Sequence, residues 1–296
     1  MVEFGLLGGI EAAVDRESVD LGPVRQRSVL AALLVDVNRV VTVDQLIDRV
    51  WGESPPQRSL GTLYSYISRL RRALPSAADE VRLVRQAGGY VLTVTESAVD
   101  LYRFRGLVTQ AHRTDDDERA VALFEQALGL WQGDAFSRVD TPWFNTLRES
   151  LHQERLTAEL DLGDVQLRLG RHSEVLARLF DRAAAHPLDE RLAGQLMLAL
   201  YRSGRAGDAL AHYQRVRRCL AEELGTDPGL ALRQLYQQIL TVDPALAARS
   251  AAGFGPARPP VPRQLPAPPS TFTGRTPELA HLDAVLEASA DQGALW

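Results

Sequence analysis

The chain has 296 residues, of which 45% are hydrophobic, and this is enough for two domains with separate cores. No apolar run approaches the roughly 18 residues that cross a bilayer, and the lack of a basic leader together with a single cysteine predicts a cytoplasmic protein without an internal disulfide. The formal net charge of −5 argues against a uniformly basic nucleic-acid binder, so the distribution of charge matters more than its sum.

The first fifty residues predict small strands followed by two helices. Short apolar runs separated by turn residues indicate strands at Phe4–Leu7, Ala12–Val14 and Val19–Leu21. Pro23 suits the first turn of a helix. Thr42 and Gln45 have the spacing of a capping box, which predicts the start of a second, shorter helix. Gly52, with two prolines shortly after it, ends that helix.

The segment Gln57–Leu74 predicts a helix with one apolar and one basic face. At about 100° of rotation per residue, an apolar stripe forms from Leu63, Ile67, Leu70 and Leu74. The opposite face contains no Asp or Glu and is formed by Arg58, Thr62, Ser65, Arg69 and Arg72. From Arg58 to Arg85 the net charge is +4, whereas from Met1 to Glu53 it is −4. Positive charge is therefore focused on this helix and on the segment directly after it.

The segment Val81–Val94 predicts two strands joined around Gly88-Gly89. Both glycines are expected to supply positive φ angles at the hairpin tip, and Tyr90 is expected in the core. The order of helix, helix, turn, helix and hairpin is that of a winged helix-turn-helix, and Pro75 is expected to end the third helix. The predicted fold class is α+β for this part of the chain.

Each basic or short polar residue receives a predicted role on DNA. Arg69 and Arg72 are expected to reach base edges or phosphates in a major groove, where arginine pairs well with guanine. Thr62 and Ser65 are short enough to let the helix approach closely. The remaining residues are expected to contact phosphate, backbone or minor groove, and they are Arg58, Arg82, Arg85 and Arg25. We expect the first helix to bind phosphate near Arg25 through its free N–H groups, while Arg71 covers apolar surface with its stem.

From residue 100 to about 240 the pattern is helical and repeats. Gly170–Ala177 aligns with Gly204–Ala211 at an offset of 34 residues, the period of tetratricopeptide helix pairs. Val121–Ala127 echoes Ala177–Ala183, which indicates a less regular third unit. This part predicts an all-α, tetratricopeptide-like bundle. Seven prolines between Pro256 and Pro269 then predict an extended linker.

No residue pattern predicts catalysis or metal binding. The six histidines lack metal-ligand spacing and are expected at surfaces or caps, and Cys219 is expected in a core. Asp115–Asp117 is expected in a loop or at a helix start. A phosphate loop with its lysine is absent because all 33 basic residues are arginine. We therefore expect no enzyme, no metal and no cofactor in this chain.

Several stretches resemble one family, the Streptomyces antibiotic regulatory proteins of the AfsR/SARP type. They are Phe4–Gly8, Leu21–Arg27, Val40–Asp48, Val50–Gly52 with Pro55-Pro56, Tyr66–Leu74 and Gly88–Tyr90. Glu222–Gly229 resembles the closing signature of the family's bacterial transcriptional activation domain. Gly8-Gly9 departs from the commoner Gly-Pro, which affects a turn and not the basic face. The stretch from Phe272 resembles the lead-in to the nucleotide-binding ATPase domain of large members.

The resemblance implies an OmpR-type winged helix at residues 1–96 and an activation domain at 97–245. A Pro-rich linker at 246–271 and the start of a truncated nucleotide-binding domain at 272–296 would come next, so ATP could bind only a longer natural protein. It also implies activation of antibiotic or secondary-metabolite genes through direct repeats in double-stranded DNA near the promoter. Recruitment of RNA polymerase holoenzyme through its sigma factor is implied as well. Direct repeats would place two copies side by side on DNA, as a dimer.

The sequence leaves two other interpretations open. A helical-repeat adaptor could use its winged helix to bind protein instead of DNA, but such a surface would expose aromatic or methionine anchors. A nucleotide-driven switch would apply only to a longer natural protein.

Overall fold

The computed structural model describes residues 2–74 and 81–247, together with Ala280. Pro75, the predicted linker beyond residue 247 and the predicted start of a nucleotide-binding domain lie outside the described residues. The described chain consists of two small sheets and ten helices, in the order of strands, three helices, a hairpin and a helical array. In residues 2–74 and 81–247, every helix falls short of the length or apolarity that crossing a bilayer requires.

The first sheet is antiparallel, in the strand order β1-β2-β3. Its strands are β1 Val2–Gly5, β2 Glu11–Val14 and β3 Glu17–Ser18. The predicted strand at Val19–Leu21 is wrong, because the chain reverses directly after β2 and the third strand ends at Ser18. Asp15 and Arg16 both take positive φ angles in that tight turn, 49° and 71°.

Three helices come after this sheet: α1 Val24–Val35, α2 Val43–Trp51 and α3 Ser59–Ala73. The predicted capping box is confirmed, since the Gln45 amide donates to Thr42 Oγ1 and the Thr42 amide donates to Gln45 Oε1. Gly52 ends α2 with a φ of 58°. The predicted apolar stripe of α3 is also confirmed, because Leu63, Ile67 and Leu70 are all buried.

The hairpin consists of β5 Arg82–Gln86 and β6 Gly89–Thr93, and a short strand, β4 Val41–Thr42, extends it into a sheet of order β4-β6-β5. Gly88 takes the predicted positive φ, 78°, but the same prediction for Gly89 is wrong because this residue is extended within β6. A Cβ on Gly89 would lie 2.2 Å from the Val41 carbonyl oxygen, so close approach of β4 requires glycine there. Tyr90 is buried, as predicted.

The remaining chain is an array of helices joined by short turns. They are α4 Asp100–Arg113, α5 Asp117–Leu128, α6 Pro142–Arg168, α7 His172–Ala185, α8 Glu190–Arg202, α9 Ala206–Leu224 and α10 Leu230–Leu240. Single 3-10 turns lie at Glu96–Ala98 and Pro244–Leu246. Asp116 caps α5 through the amides of Glu118 and Arg119, so the acidic run is a helix start, as predicted.

The 34-residue repeat corresponds to two matching helix turns. Gly170 and Gly204 have φ angles of 76° and 77°. After them, the Arg171 amide donates to the Gln166 carbonyl and the Arg205 amide donates to the Leu200 carbonyl, both at 2.9 Å. The positive φ lets each chain reverse directly into the next helix. This confirms the tetratricopeptide-like arrangement.

The third, upstream unit matches in sequence more closely than in packing. Phe124 of α5 is 1% exposed and contacts the ring of His112. The corresponding Phe180 of α7 is 37% exposed and is covered on one side by the Arg205 guanidinium, 5.6 Å from the ring centre. The same apolar spacing therefore supports a core contact in α5 and a partly solvated one in α7.

Apolar packing continues from the winged helix into the helical array. One hydrophobic cluster runs from Val2 to Val165, and a second runs from Leu160 to Leu246. The buried Asp100 carboxylate joins β1 to α4 by accepting from the amides of Leu6 and Leu7, each at 2.9 Å. Burial raises the pKa of Asp100 despite these hydrogen bonds. The first sheet is thus tied to the start of the helical array.

Candidate nucleic-acid interface

The solvent-facing side of α3 is basic and free of acid, and we call it the arginine face. It consists of the five predicted residues, Arg58, Thr62, Ser65, Arg69 and Arg72. The three arginines and Ser65 are exposed, and Thr62 is half-buried. Neither Asp nor Glu occurs anywhere in α3. Because the opposite stripe is locked in the core, this side must point outward.

The two hydroxyl groups of the arginine face are occupied within the helix. Thr62 Oγ1 donates to the Arg58 carbonyl and Ser65 Oγ donates to the Gly61 carbonyl, each at 3.0 Å. The side chains therefore lie close against the helix backbone. The centre of the arginine face therefore projects less from the helix than the arginines around it. A large ligand can approach the helix axis there, between the longer arginine side chains.

The guanidinium groups of the arginine face have few partners of their own. Among residues 2–74 and 81–247, the side chains of Arg58 and Arg69 form no ion pair or hydrogen bond. Arg72 makes one long hydrogen bond within the helix, from Nε to the Ser68 carbonyl at 3.5 Å. Unpaired cations on a rigid helix are available to an anionic ligand.

The wing is held against α3 by two arginine contacts. The Arg85 guanidinium lies 5.7 Å from the ring centre of Tyr64 on α3. Arg71 donates from Nε to the Leu83 carbonyl at 2.8 Å and lies 5.7 Å from the ring of Tyr90. The Arg71 guanidinium thus joins α3 to the wing, whereas the sequence predicted only that its aliphatic stem covers apolar surface. These contacts set the position of the wing relative to the arginine face.

Arg82 and Arg85 are both exposed on β5, the outer strand of the wing sheet. The side chain of Arg82 has no partner among the described residues. Arg25, at the first turn of α1, uses one Nη to donate to the Val50 carbonyl at the end of α2. Its guanidinium is therefore partly occupied, and its predicted phosphate contact stays a prediction. The start of α1 has no side-chain cap.

The arginine face continues towards the start of α1. A shallow depression of about 350 Å³ between α1 and α3 is lined by Arg69, Arg72, Gly22, Pro23 and Asp20. The Asp20 carboxylate accepts from the Gly22 amide at 2.8 Å and forms no ion pair with either arginine. The uncapped helix start therefore lies beside two unpaired guanidinium groups.

Sequence reasoning missed the aromatic contacts that support the face. Tyr64 carries Arg85, and the ring of Tyr66 stacks on Trp51 of α2 with centroids 6.3 Å apart. Tyr64 and Arg71 are seven residues apart, which puts them on one flank of α3. From that spacing alone, one could have predicted that this flank of α3 contacts the wing.

Within the part of the chain that the structure describes, no group of three His, Cys, Asp or Glu could hold a metal ion. His212 departs from the predicted surface or capping role because it is buried, and burial lowers its pKa to about 4. Cys219 is only half-buried, so the prediction of a core cysteine is corrected to a partly exposed one.

Fold and site together define a winged-helix regulator with a second, helical domain. Residues 16–92 match the family model described as transcriptional regulatory protein, C terminal. Residues 99–240 match the model described as bacterial transcriptional activator domain. The first is a DNA-binding domain of the OmpR type, so the chain is a transcriptional regulator.

Three relatives place the chain within one family. It is 42% identical to the regulatory protein AfsR of Streptomyces coelicolor over 99% of this chain and 30% of AfsR. It is 34% identical to the regulatory protein DnrI of Streptomyces peucetius over 83% of this chain and 94% of DnrI. The structure of Mycobacterium tuberculosis EmbR in complex with a low affinity phosphopeptide has a TM-score of 0.78 and 34% identity, covering 82% of this chain and 66% of that one.

The chain belongs to the Streptomyces antibiotic regulatory protein family. It spans about 30% of the length of the AfsR proteins that it matches. The resemblance seen in the sequence is thereby confirmed, as are the winged helix and the helical activator domain.

Proposed function

We propose that this protein is a sequence-specific activator that inserts α3 into the major groove of double-stranded DNA. The observation that carries the proposal is the arginine face, an acid-free helix surface with unpaired guanidinium groups and a buried opposite stripe. An α-helix fits the width of the major groove, and arginine pairs bidentately with guanine there. We assign base contact to Arg69 and Arg72, and phosphate contact to Arg58.

The wing and the first helix would complete the contact. Arg82 and Arg85 project from β5 towards the neighbouring backbone or minor groove, and the Arg85 position is supported by Tyr64. The uncapped start of α1 lies near Arg69 and Arg72 and would receive a phosphate, to which we assign Arg25, in the first turn of α1, as a further contact. Such contacts position the protein on DNA, whereas base contacts specify the sequence.

The family supports a role in switching on genes for antibiotics or other secondary metabolites. We propose that the chain binds direct repeats near promoters as side-by-side copies, and recruits RNA polymerase through its sigma factor. The helical activator domain would provide the polymerase contact. We propose that this takes place in the cytoplasm and needs neither a cofactor nor catalysis by this chain.

The competing function is a protein-binding adaptor. Two exposed apolar residues of α3 favour it, Leu60 at 45% exposure and Tyr64 at 37%. Both lie on the flank towards the wing, however, and Tyr64 is partly covered by Arg85. The arginine face itself offers no aromatic or methionine anchor, and such anchors are typical of protein interfaces.

A titration with labelled duplex at two salt concentrations tests the proposal. Fluorescence anisotropy with a mixed-sequence duplex of about 30 base pairs should show binding that weakens steeply between 50 and 200 mM NaCl, as counterion release requires. Selection from a random-sequence duplex pool should then enrich a direct repeat. No binding at 50 mM salt, or binding insensitive to salt, would favour the adaptor.

A further inference from the structure

We propose that Arg138, in the helical domain, contacts the DNA backbone beside the start of α1 and so extends the interface beyond the winged helix. The inference rests on the proposed DNA-binding function. It assigns a DNA contact to the loop at residues 129–141, between α5 and α6. The ligand group is a backbone phosphate, which carries no sequence information.

The loop is fastened to the first sheet by backbone hydrogen bonds. The amides of Gln132, Phe136 and Ser137 donate to the carbonyls of Leu7, Leu6 and Gly8, at 2.8, 3.0 and 2.9 Å. A Cβ on Gly8 would lie 2.9 Å from Gln132 Cβ, so the loop packs directly on this turn. The loop therefore moves with the winged helix and not independently of it.

Arg148 of α6 clamps the same loop from the other side. Its Nε donates to the Ala135 carbonyl at 2.8 Å, and its Nη2 donates to the carbonyls of Val139 and Phe136 at 2.6 and 3.3 Å. Within this clamp Phe136 and Arg138 take positive φ angles of 54° and 70°, which non-glycine residues rarely adopt. Such a backbone persists only where the surroundings hold it, so Arg138 is presented in a fixed position.

Arg138 is exposed and has no partner among the described residues. It lines a depression of about 370 Å³ together with Arg27, Pro23 and Val24 of the α1 start. Gly22 and Pro23 also border the depression that contains Arg69 and Arg72. The start of α1 is therefore flanked by arginines from α1, from α3 and from the helical domain.

The charge around the α1 start favours an anion. Two acids line these depressions, Asp20, which accepts from the Gly22 amide, and Glu11, and the loop itself contains the exposed Asp134 and Asp140, of which Asp140 accepts from Asn145. The guanidinium groups on both sides of the α1 start oppose these negative charges, as does the partial positive charge of an uncapped helix N-terminus. A phosphate strand leaving the arginine face at Arg69 and Arg72 would pass Pro23 and reach Arg138. Guanidinium suits phosphate because it can donate two parallel hydrogen bonds.

The test uses the full chain and a fluorescein-labelled, mixed-sequence duplex of about 30 base pairs, titrated at 50, 100, 150 and 200 mM NaCl. Arg138→Asn removes the charge while keeping a residue that tolerates positive φ. We expect about threefold to tenfold weaker binding at low salt and a salt slope reduced by about 0.9, the value for one lost phosphate contact. Arg138→Lys should restore most of the slope.

Arg233→Gln is the matched control, because Arg233 is also exposed in the helical domain and its side chain has no partner among the described residues. It should bind like the wild-type chain. If Arg138→Asn also binds like wild type, or binds more weakly with an unchanged slope, while Arg69→Ala weakens binding, the inference about Arg138 is overturned and the proposed function stands. If the wild-type chain shows no salt-dependent binding, the proposed function itself fails. Should Arg138→Asn unfold, Arg138→Gly relieves the backbone and gives the same comparison.

Discussion

The arginines of α3 and the wing differ from several arginines of the helical domain in what they contact. None of the six arginines on α3 and the wing forms an ion pair with a described residue. In the helical domain, by contrast, Arg168 lies 2.6 Å from Asp117 and Arg191 lies 2.5 Å from both Asp161 and Asp164. All are guanidinium groups on helices or strands of one chain. We propose that a cluster of unpaired arginines on one face, and not arginine content alone, marks the ligand surface of this chain.

The largest expected effect concerns a buried base of the helical domain, His212. Burial and the nearby Arg215 hold its pKa at about 4, below the ordinary 6.5, so the unfolded chain binds the proton more tightly. Stability from this group is complete above pH 6.5 and is lost as pH falls towards 4, by on the order of 3 kcal/mol. Urea unfolding between pH 4 and 7 measures it. His212→Gln should flatten the profile relative to wild type, and parallel profiles would show that His212 titrates normally.

A paired arginine within the winged helix should affect folding and not binding. Arg49 lies 2.6 Å from Asp36, donates to the Ala32 carbonyl at 3.0 Å and lies 4.4 Å from the ring centre of Trp143. Arg49→Ala should cost about 2–3 kcal/mol of unfolding free energy, because charged hydrogen bonds and a covered cation–π contact are lost together. Chemical denaturation gives the value. Unchanged stability would show that an arginine with an ion pair and hydrogen bonds in the structure need not stabilise the fold.

An unpaired arginine should show the opposite pattern. Arg69→Ala should weaken binding to the selected direct repeat by about 1–3 kcal/mol and relax specificity at one base position, with stability unchanged. Anisotropy on cognate and single-substitution duplexes measures both effects. Equal losses on cognate and random duplexes would remove Arg69 from base contact and leave it a phosphate contact.

The wing should give a smaller and less selective effect. Arg85→Ala should weaken binding to all duplexes alike by about 1 kcal/mol and lower the salt slope by about 0.9, as expected for one phosphate contact. Tyr64→Phe keeps the ring beneath Arg85 and serves as the control. A selective loss on the cognate duplex would instead place Arg85 at a base edge in the minor groove.

Sequence periodicity predicted which residues of α3 are buried and which form the arginine face, but it did not predict which side chains contact each other between elements. The spacing of Leu63, Ile67 and Leu70 was enough to separate the buried stripe of α3 from its arginine face, because helical geometry alone sets which residues share a side. The constraint on Gly89 and the bond of Arg71 to Leu83 depend on chain segments that only the fold brings together. An ion pair between helices leaves no local sequence pattern, because its partners are far apart in the chain. Arg168 and Asp117, for example, are 51 residues apart.

The smallest expected effect tests the paired side of the comparison at the surface. Arg191 joins Asp161 and Asp164 of α6 to α8, and its side chain is 43% exposed. Exposed pairs contribute little because solvent screens them, so Arg191→Ala should cost about 0.5–1 kcal/mol of unfolding free energy, and less at 1 M salt. DNA affinity should not change, since Arg191 already has its anions within the protein. Thermal unfolding at low and high salt, with Arg233→Gln as the unpaired control, measures the difference. Equal stability of the two variants would mean that the ion pairs of Arg191 add nothing to the unfolding free energy. A loss of DNA affinity in Arg191→Ala would contradict the distinction between paired and ligand-binding arginines.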